Sequence, residues 1–313
     1  MPTKRRPKRG SRAFWPRKRA KRIYPRIKKW PVSNDAKPLG FAGYKVGMTH
    51  FMMIDTNPNI KTKGMEIFKP VTVIECPPLT VFGYRIYDGS YCVSDIISDK
   101  FDKNMKRKIK VPKKKQEQKD VKGDRICLLV NTNPTFKKTP EIFEIALGGS
   151  YDDQLKYAQE VLGKQIKMSD IFKEGEYLDS VSVTKGKGFE GPVKRFGVKL
   201  QSRKTEQIHR KTGALGQKEP GKVRYTIPRE GQLGFHTRTE LNKRILKFID
   251  AKDIIPKGGF VNSYAPKSEC VLIEGSIPGP KKRLIRFRQA LRPPKQRYPV
   301  DIKYISLESQ QGR

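Results

Sequence analysis

Residues 39–54 read LGFAGYKVGMTHFMMI, and VTVIECPP at 71–78 and LTVFGYRIY at 79–87 follow closely. These runs are rich in β-branched and aromatic residues and are punctuated by glycine and proline at short intervals. That is the texture of short strands in a small barrel or sandwich. Similar runs return near the other end of the chain, at 244–249, Cys270–Glu274, 284–288 and 302–306. One β-barrel assembled from both ends is therefore expected, over residues 39–90, 170–184 and 244–313, with the middle of the chain inserted into it.

The insertion, residues 91–169, reads as α+β. Residues 94–111 have a helical texture that becomes very basic, with nine Lys or Arg from 103 to 119, and the end of this run is expected to be an exposed loop. Residues 126–131 and 141–147 look like strands. A helix is expected over 150–162, because Ser150 can cap it, Asp152 and Asp153 suit the positive end of its dipole, and Leu155, Ala158 and Leu162 share a face. That helix start explains the two aspartates more simply than a metal site does. The acid-rich stretch 170–179 is expected to face solvent or a basic neighbour.

Charge then narrows the function. The 313 residues hold 68 Lys and Arg against 31 Asp and Glu, a net charge of +37. Such self-repulsion calls for a polyanionic partner, and cations this dense displace condensed counterions from nucleic acid phosphates. A membrane surface is the weaker alternative. No run approaches the roughly 18 apolar residues of a span, and prolines break the basic stretches that an amphipathic helix would need. Pro2, Pro7, Pro16 and Pro25 likewise argue against an organelle transit peptide. Cys76, Cys92, Cys127 and Cys270 lie far apart with no CxxC pair, so reduced thiols in a cytosol are expected, with no zinc site and no disulfide framework.

Two segments concentrate the charge. Residues 1–38 form a basic N-terminal extension, with fourteen Lys or Arg and no acid among the first 30. Phe14, Trp15, Tyr24 and Trp30 are interleaved with them. Alone this segment has too little apolar surface to order itself; against RNA it can fold, with aromatics stacking and guanidinium groups bridging phosphates. The candidate RNA-binding residues here are Arg5, Arg6, Lys8, Arg9 and Arg12, followed by Trp15, Arg17, Lys18 and Arg19. A solubilising tail and a nuclear import signal are the alternatives.

The second segment, 185–243, is a glycine-rich loop too long for a compact domain, and residues 185–244 hold sixteen Lys or Arg against five acids. It becomes sensible as an extension packed by RNA. Its candidates are Lys185, Lys187, Lys194 and Arg195, then Arg203, Lys204, His209, Arg210 and Lys211, then Lys218, Arg224, Arg229, His236 and Arg238. The arginines are favoured for specific geometry, since a planar fork binds phosphate bidentately and stacks on bases. For His209 and His236 a structural turn role is the alternative. Residues 281–297 add eight further basic residues.

Gly186-Lys187-Gly188-Phe189-Glu190-Gly191 satisfies GxGxxG directly after the strand-like VSVT. A dinucleotide site needs a helix starting within the motif and a second parallel strand. Pro192 and the aperiodic VKRFGVKLQSRK supply neither, so glycines that let backbone approach RNA phosphate are the better reading.

The same motif belongs to a longer block, FKEGEYLDSVSVTKGKGFEGPVKR at 172–195, in which Phe172, Asp179, Ser182, Thr184, Gly186, Lys187, Gly188, Gly191 and Arg195 resemble the signature of universal large-subunit ribosomal protein three. The resemblance extends to GFAGYKVGMTH, PVTVIECPP, GQLGFHTRTELNKR, GGFVN and GSIPGPKKRLIRFR, and it is similar to the archaeal and eukaryotic form, more to the archaeal. It implies a mainly β fold with an α+β insertion: a six-stranded closed barrel of the translation-protein type carrying long basic extensions that penetrate rRNA. It further implies a structural, non-enzymatic part of the cytoplasmic large subunit, which binds large-subunit rRNA, supports assembly and shapes the surroundings of the peptidyl-transferase centre. The partners implied are that rRNA, ribosomal protein fourteen and a small zinc protein of archaeal and eukaryotic ribosomes, with no DNA, membrane or second copy of the chain. No cofactor is expected beyond magnesium ions belonging to the rRNA. The long loop would reach the aminoacyl-tRNA entrance with its tip at Gly216, Gln217, Lys218, Glu219 and Pro220. Relatives of this type often place a Trp where this chain has Lys218, which exchanges a stacking tip for a cationic one. The rivals are a non-ribosomal nucleic-acid binder and an enzyme using the GxGxxG as a nucleotide site.

Overall fold

The computed structural model describes residues 14–99, 101–110, 123–219, 221–295 and 298–310. In chain order the elements are β1 (Gly40–Ile54), β2 (Glu66–Glu75), β3 (Leu79–Asp88), β4 (Tyr91–Ile97), β5 (Arg125–Thr132) and β6 (Ile142–Ala146). Then come α1 (Tyr151–Val161), β7 (Gln165–Ile166), β8 (Tyr177–Val183), β9 (Gly186–Glu190), α2 (Pro192–Phe196) and β10 (Gly231–Gly234). The chain closes with β11 (Thr237–Ile249), β12 (Cys270–Glu274), β13 (Leu284–Gln289) and β14 (Asp301–Ile305). The fold is mainly β. Residues divide into two units, one formed by 24–182 with 239–313 and the other by 14–23 with 183–238.

In the larger unit one sheet runs β13-β8-β11-β12-β2-β1-β14, and β13 pairs with β1 as well. The long β1 makes this possible. Its first half, Gly40 to Tyr44, pairs antiparallel with β13, while its second half, Phe51 to Ile54, pairs with β14. Gly40 and Gly47 let neighbours in: a Cβ at Gly40 would strike the Phe287 carbonyl and Trp30, and one at Gly47 would strike the Phe260 ring. The strand interiors are filled by Phe41, Tyr44, Ile74, Ile273, Ile285 and Phe287, all at most 1% exposed. Each such side chain contributes about 1.5–3 kcal/mol relative to leaving it in water.

A second sheet runs β4-β3-β5-β6, with β7 on β3. The inserted unit therefore begins earlier than the strand texture suggests, because β3 pairs with β4, β5 and β7 and lies outside the first sheet. Pro77 and Pro78 separate β2 from β3. A proline pair has no N–H to continue a ladder, and the chain changes sheets there. The described residues of the stretch 94–111 also depart from the expected helix: they hold the end of β4 and a 3-10 turn, Lys103–Arg107. In β4 the residues Val93, Ile96 and Ile97 fit a pleated surface, and pairing with β3 overrides the local preference. The helix α1 forms as its start signal requires, with Ser150 as N-cap accepting from the Asp153 N–H at 3.4 Å.

Buried polar groups join the two sheets. The Tyr44 hydroxyl donates to Glu141 Oε2 at 2.6 Å and lies 2.8 Å from Thr132 Oγ1, while Lys137 pairs with the same Glu141. Burial, and then the Glu141 carboxylate, push the Tyr44 hydroxyl well above its ordinary value, so it stays a donor. Arg286 is 3% exposed, stacks over Phe143, and donates to the carbonyls of Pro25 and Glu144. Burial lowers it to about 10. Arg288 donates to Asp179 Oδ2 at 3.0 and 3.1 Å and to the Lys29 carbonyl at 2.7 Å. Arg244 donates to the carbonyls of Tyr298 and Pro299. The guanidinium fork thus satisfies carbonyls of the segments at 25–29 and 298–299 and of the edge strand β6. Residues 24–30 belong with this unit for that reason.

All four cysteines are free, and only Cys92 is exposed. Burial pushes the Cys127 thiol up to about 12 and raises Cys76 and Cys270 as well. Iodoacetamide at pH about 8 should therefore alkylate Cys92 alone in the native protein, since only an accessible thiolate reacts, and all four after denaturation. Peptide mass spectrometry reads this directly. Native labelling at Cys127 would contradict the packing of β5 against β6.

Candidate nucleic-acid interface

The smaller unit is built around the antiparallel pair β9–β10, in which Gly231 faces Glu190, Gln232 faces Phe189 and Gly234 faces Gly186. At Gly234, φ is +71° and a Cβ would collide with the Lys185 carbonyl. Glycine is needed at that crossing for both reasons. The residues of the GxGxxG motif thus lie in an extended ribbon. The five-residue α2 begins only after it, with Gly191 as N-cap and Pro192 at the first helical position. No helix opens inside the motif to hold a pyrophosphate, as the dinucleotide reading requires.

Next to this ribbon the N-terminal segment is ordered by the protein itself. The Trp15 and Phe196 rings stack with centroids 5.8 Å apart and planes 13° from parallel, and Tyr225 meets Trp15 edge-on. The Arg17 guanidinium lies 4.3 Å from the Phe196 ring centre, and Arg195 lies 5.1 Å from the same ring. Farther along, Arg19 covers Phe235, Arg238 covers Phe14, and the Ala20 N–H donates to the Phe235 carbonyl at 2.8 Å. Cation–π contacts are each worth about 0.5–2 kcal/mol. The expectation that this tail orders only against RNA is corrected for residues 14–23, because its aromatic and cationic side chains find partners on the loop.

Arg195 has a structural task as well. Its Nε donates to the Gln232 carbonyl at 3.1 Å and its Nη1 to the carbonyls of Arg229 at 3.0 Å and Glu230 at 3.3 Å. A Cβ at Gly231 would come within 3.0 Å of that guanidinium. Burial lowers the Arg195 and Arg17 guanidinium groups, yet both remain cations at neutral pH because they start from 12.5. His236 is buried, and its Nδ1 lies 2.9 Å from the Lys18 carbonyl, so Nδ1 carries the proton. Its backbone N–H donates to Thr184 Oγ1 at 3.1 Å. His209 stays exposed, with Nδ1 2.9 Å from the Ser202 carbonyl.

The remaining candidates present free surface. Lys18, Lys185, Lys187, Arg203, Lys204, Arg210, Lys211, Lys218 and Arg224 are all exposed. Lys194 is exposed but lies 3.2 Å from Glu190, and Arg229 lies 3.4 Å from Glu230. At the loop tip, Gly216, Gln217, Lys218 and Glu219 are exposed, and the Gly221 N–H closes a turn on the Lys218 carbonyl at 2.7 Å. Arg5, Arg6, Lys8, Arg9, Arg12 and Pro220 lie outside the described residues. The cations expected to meet RNA therefore separate into two groups: Arg17, Arg195 and Arg238, with His236, organise the segment, and the lysines with Arg203, Arg210 and Arg224 surround it.

In the larger unit the block 172–182 is structural too. Asp179 is fully buried, pairs with the basic Arg288, and accepts from the Asn242 N–H at 3.0 Å, while Asp170 and Glu174 are exposed. Sequence reasoning missed Arg286, Arg288 and Arg244 as internal anchors; the signal was their place inside apolar strand runs. Among the described residues no group of three His, Cys, Asp or Glu is placed to hold a metal, and no helix is long and apolar enough to cross a membrane.

Comparison with known proteins finds the family model described as ribosomal protein L3, matched over residues 1–125 and 89–312. The large ribosomal subunit protein uL3 of Archaeoglobus fulgidus is 44% identical over 327 residues, covering 98% of this chain and 99% of that protein. Those of Methanococcus aeolicus and Methanocaldococcus jannaschii are each 43% identical and cover 98% of both chains.

Proposed function

The chain belongs to the ribosomal protein L3 family, with relatives of archaeal type along nearly its whole length, and from that premise we propose how it serves the large ribosomal subunit. It is a structural protein of that subunit and binds large-subunit rRNA. The ring of pairings β1-β2-β12-β11-β8-β13-β1 acts as a closed six-stranded barrel. The smaller unit lies against rRNA and shapes the surroundings of the peptidyl-transferase centre, with its tip at 216–220 directed toward incoming tRNA. The insertion offers faces to neighbouring ribosomal proteins, protein fourteen and a small zinc protein among them. The protein positions RNA and does no chemistry of its own, and magnesium enters only with the rRNA.

One observation carries the RNA contact: the smaller unit spends a few arginines on its own carbonyls and rings and leaves its lysines exposed around a glycine-rich ribbon. Phosphate contacts of this kind fix position with little reading of sequence. Sedimentation of cell lysate through a sucrose gradient in high salt tests the assignment. The protein should run with the large subunit and survive the salt wash. Recovery in soluble or DNA-bound fractions would refute it.

A further inference from the structure

The smaller unit contains six aromatic side chains: Phe14, Trp15, Phe189, Phe196, Tyr225 and Phe235. Five of them touch another ring or a guanidinium group. Phe189 is 76% exposed and has neither among the described residues. A large apolar ring held in water on a ribbon is a cost unless something covers it. Its position is also fixed. Phe189 sits inside β9 opposite Gln232, whose Nε2 donates to the carbonyl of Gly234 at 3.1 Å and thereby stiffens the facing strand.

The neighbours of Phe189 along β9 decide what surrounds the ring. Lys187 and Phe189 are both exposed and stand two residues apart on β9, where the register with β10 shifts between Gln232 and Gly234 and Gly188 takes a φ of +72°. Two strand residues span at most roughly 6.6 Å, so the long stem of Lys187 brings its ammonium group within reach of the exposed ring. No ion pair holds Lys187 or the neighbouring Lys185 among the described residues, and both are exposed. Gly188 and Gly191 have nothing within 4 Å of where a Cβ would sit, so neighbouring backbone is open to approach. A ring next to a free cation on a shallow, glycine-lined strand matches a nucleotide, whose base stacks while its phosphate meets the ammonium. A protein partner would call for a wider apolar patch, and duplex RNA keeps its bases stacked on each other.

From this arrangement we infer that Phe189 is a stacking platform for an unpaired RNA base, with Lys187 holding the adjoining phosphate. The inference rests on the RNA-binding reading above and sharpens it to one side chain. Base identity is not read, because every base has a π-face.

The test uses the full chain and a short oligouridylate carrying thiouridine, irradiated and mapped by peptide mass spectrometry, beside affinity measurements with the same strand and with an RNA duplex. Cross-links should fall on Phe189. Phe189→Leu should remove them and weaken single-strand binding on the order of tenfold, with duplex affinity and salt dependence unchanged. Phe189→Tyr should preserve both. Circular dichroism of the variants should match the parent, since the side chain is exposed. Cross-links elsewhere with none on β9, or equal loss of strand and duplex binding in Phe189→Leu, would overturn the platform while leaving RNA binding intact. No binding of either RNA by the unaltered chain would overturn the RNA reading itself.

Discussion

Arg288→Ala should lower the stability of the larger unit by about 3–5 kcal/mol, the usual cost of stranding a buried charge. Asp179 is fully buried, and Arg288 supplies two of its hydrogen bonds. Without that fork the carboxylate keeps, among the described residues, the N–H groups of Asn242 and Leu291, at 3.0 and 3.4 Å. The Lys29 carbonyl loses its donor too. Adding Asp179→Asn should recover part of the loss, because the amide removes the charge and still offers an oxygen to Asn242. Urea unfolding followed by circular dichroism measures both steps through the shift in midpoint. A change under about 1 kcal/mol for Arg288→Ala would mean that water reaches the pair, as it does at surface bridges.

The affinity for large-subunit rRNA should fall on the order of 10³- to 10⁵-fold between 50 and 200 mM salt, the behaviour of a protein that makes about six to ten phosphate contacts. Individual side chains should divide according to their surroundings. Lys→Ala at Lys187, Lys204 or Lys211, all exposed, should each reduce the logarithmic salt slope by about 1. Arg195→Met should leave the slope nearly unchanged while weakening binding at every salt concentration, because its guanidinium is committed to the carbonyls of Arg229, Glu230 and Gln232. Filter binding across a salt series gives both quantities. Equal slope changes for Arg195 and Lys187 would show that Arg195 reaches phosphate after all.

The two experiments concern one question, how a chain with a net charge of +37 folds at all. Part of that charge is internal. Arg244, Arg286 and Arg288 act as donors to backbone that would otherwise be unsatisfied, and Arg17 and Arg195 lie over rings. Arginine suits this work because its charge is delocalised over a planar group that can stack and still donate. Lysine, a compact and strongly hydrated charge, is left mainly at the surface, with Lys45 an exception that donates to the Ile277 carbonyl at 2.7 Å.

By itself the sequence determined whatever depends on neighbours along the chain. The strand runs at 39–54, 71–78 and Cys270–Glu274 were legible from their residue types, and α1 from Ser150, the two aspartates after it and its apolar face. The class of partner was legible from charge, which needs no fold to be counted. Tertiary structure alone decided the rest. It placed β3 in the second sheet, turned the start of an apparent helix into the end of β4, buried Asp179 against Arg288, and gave Arg195 and His236 to the protein's own carbonyls. The reason is physical: strand pairing and ion pairing join residues far apart in the chain, and an arginine has the same local sequence context whether its donors meet a phosphate or a carbonyl.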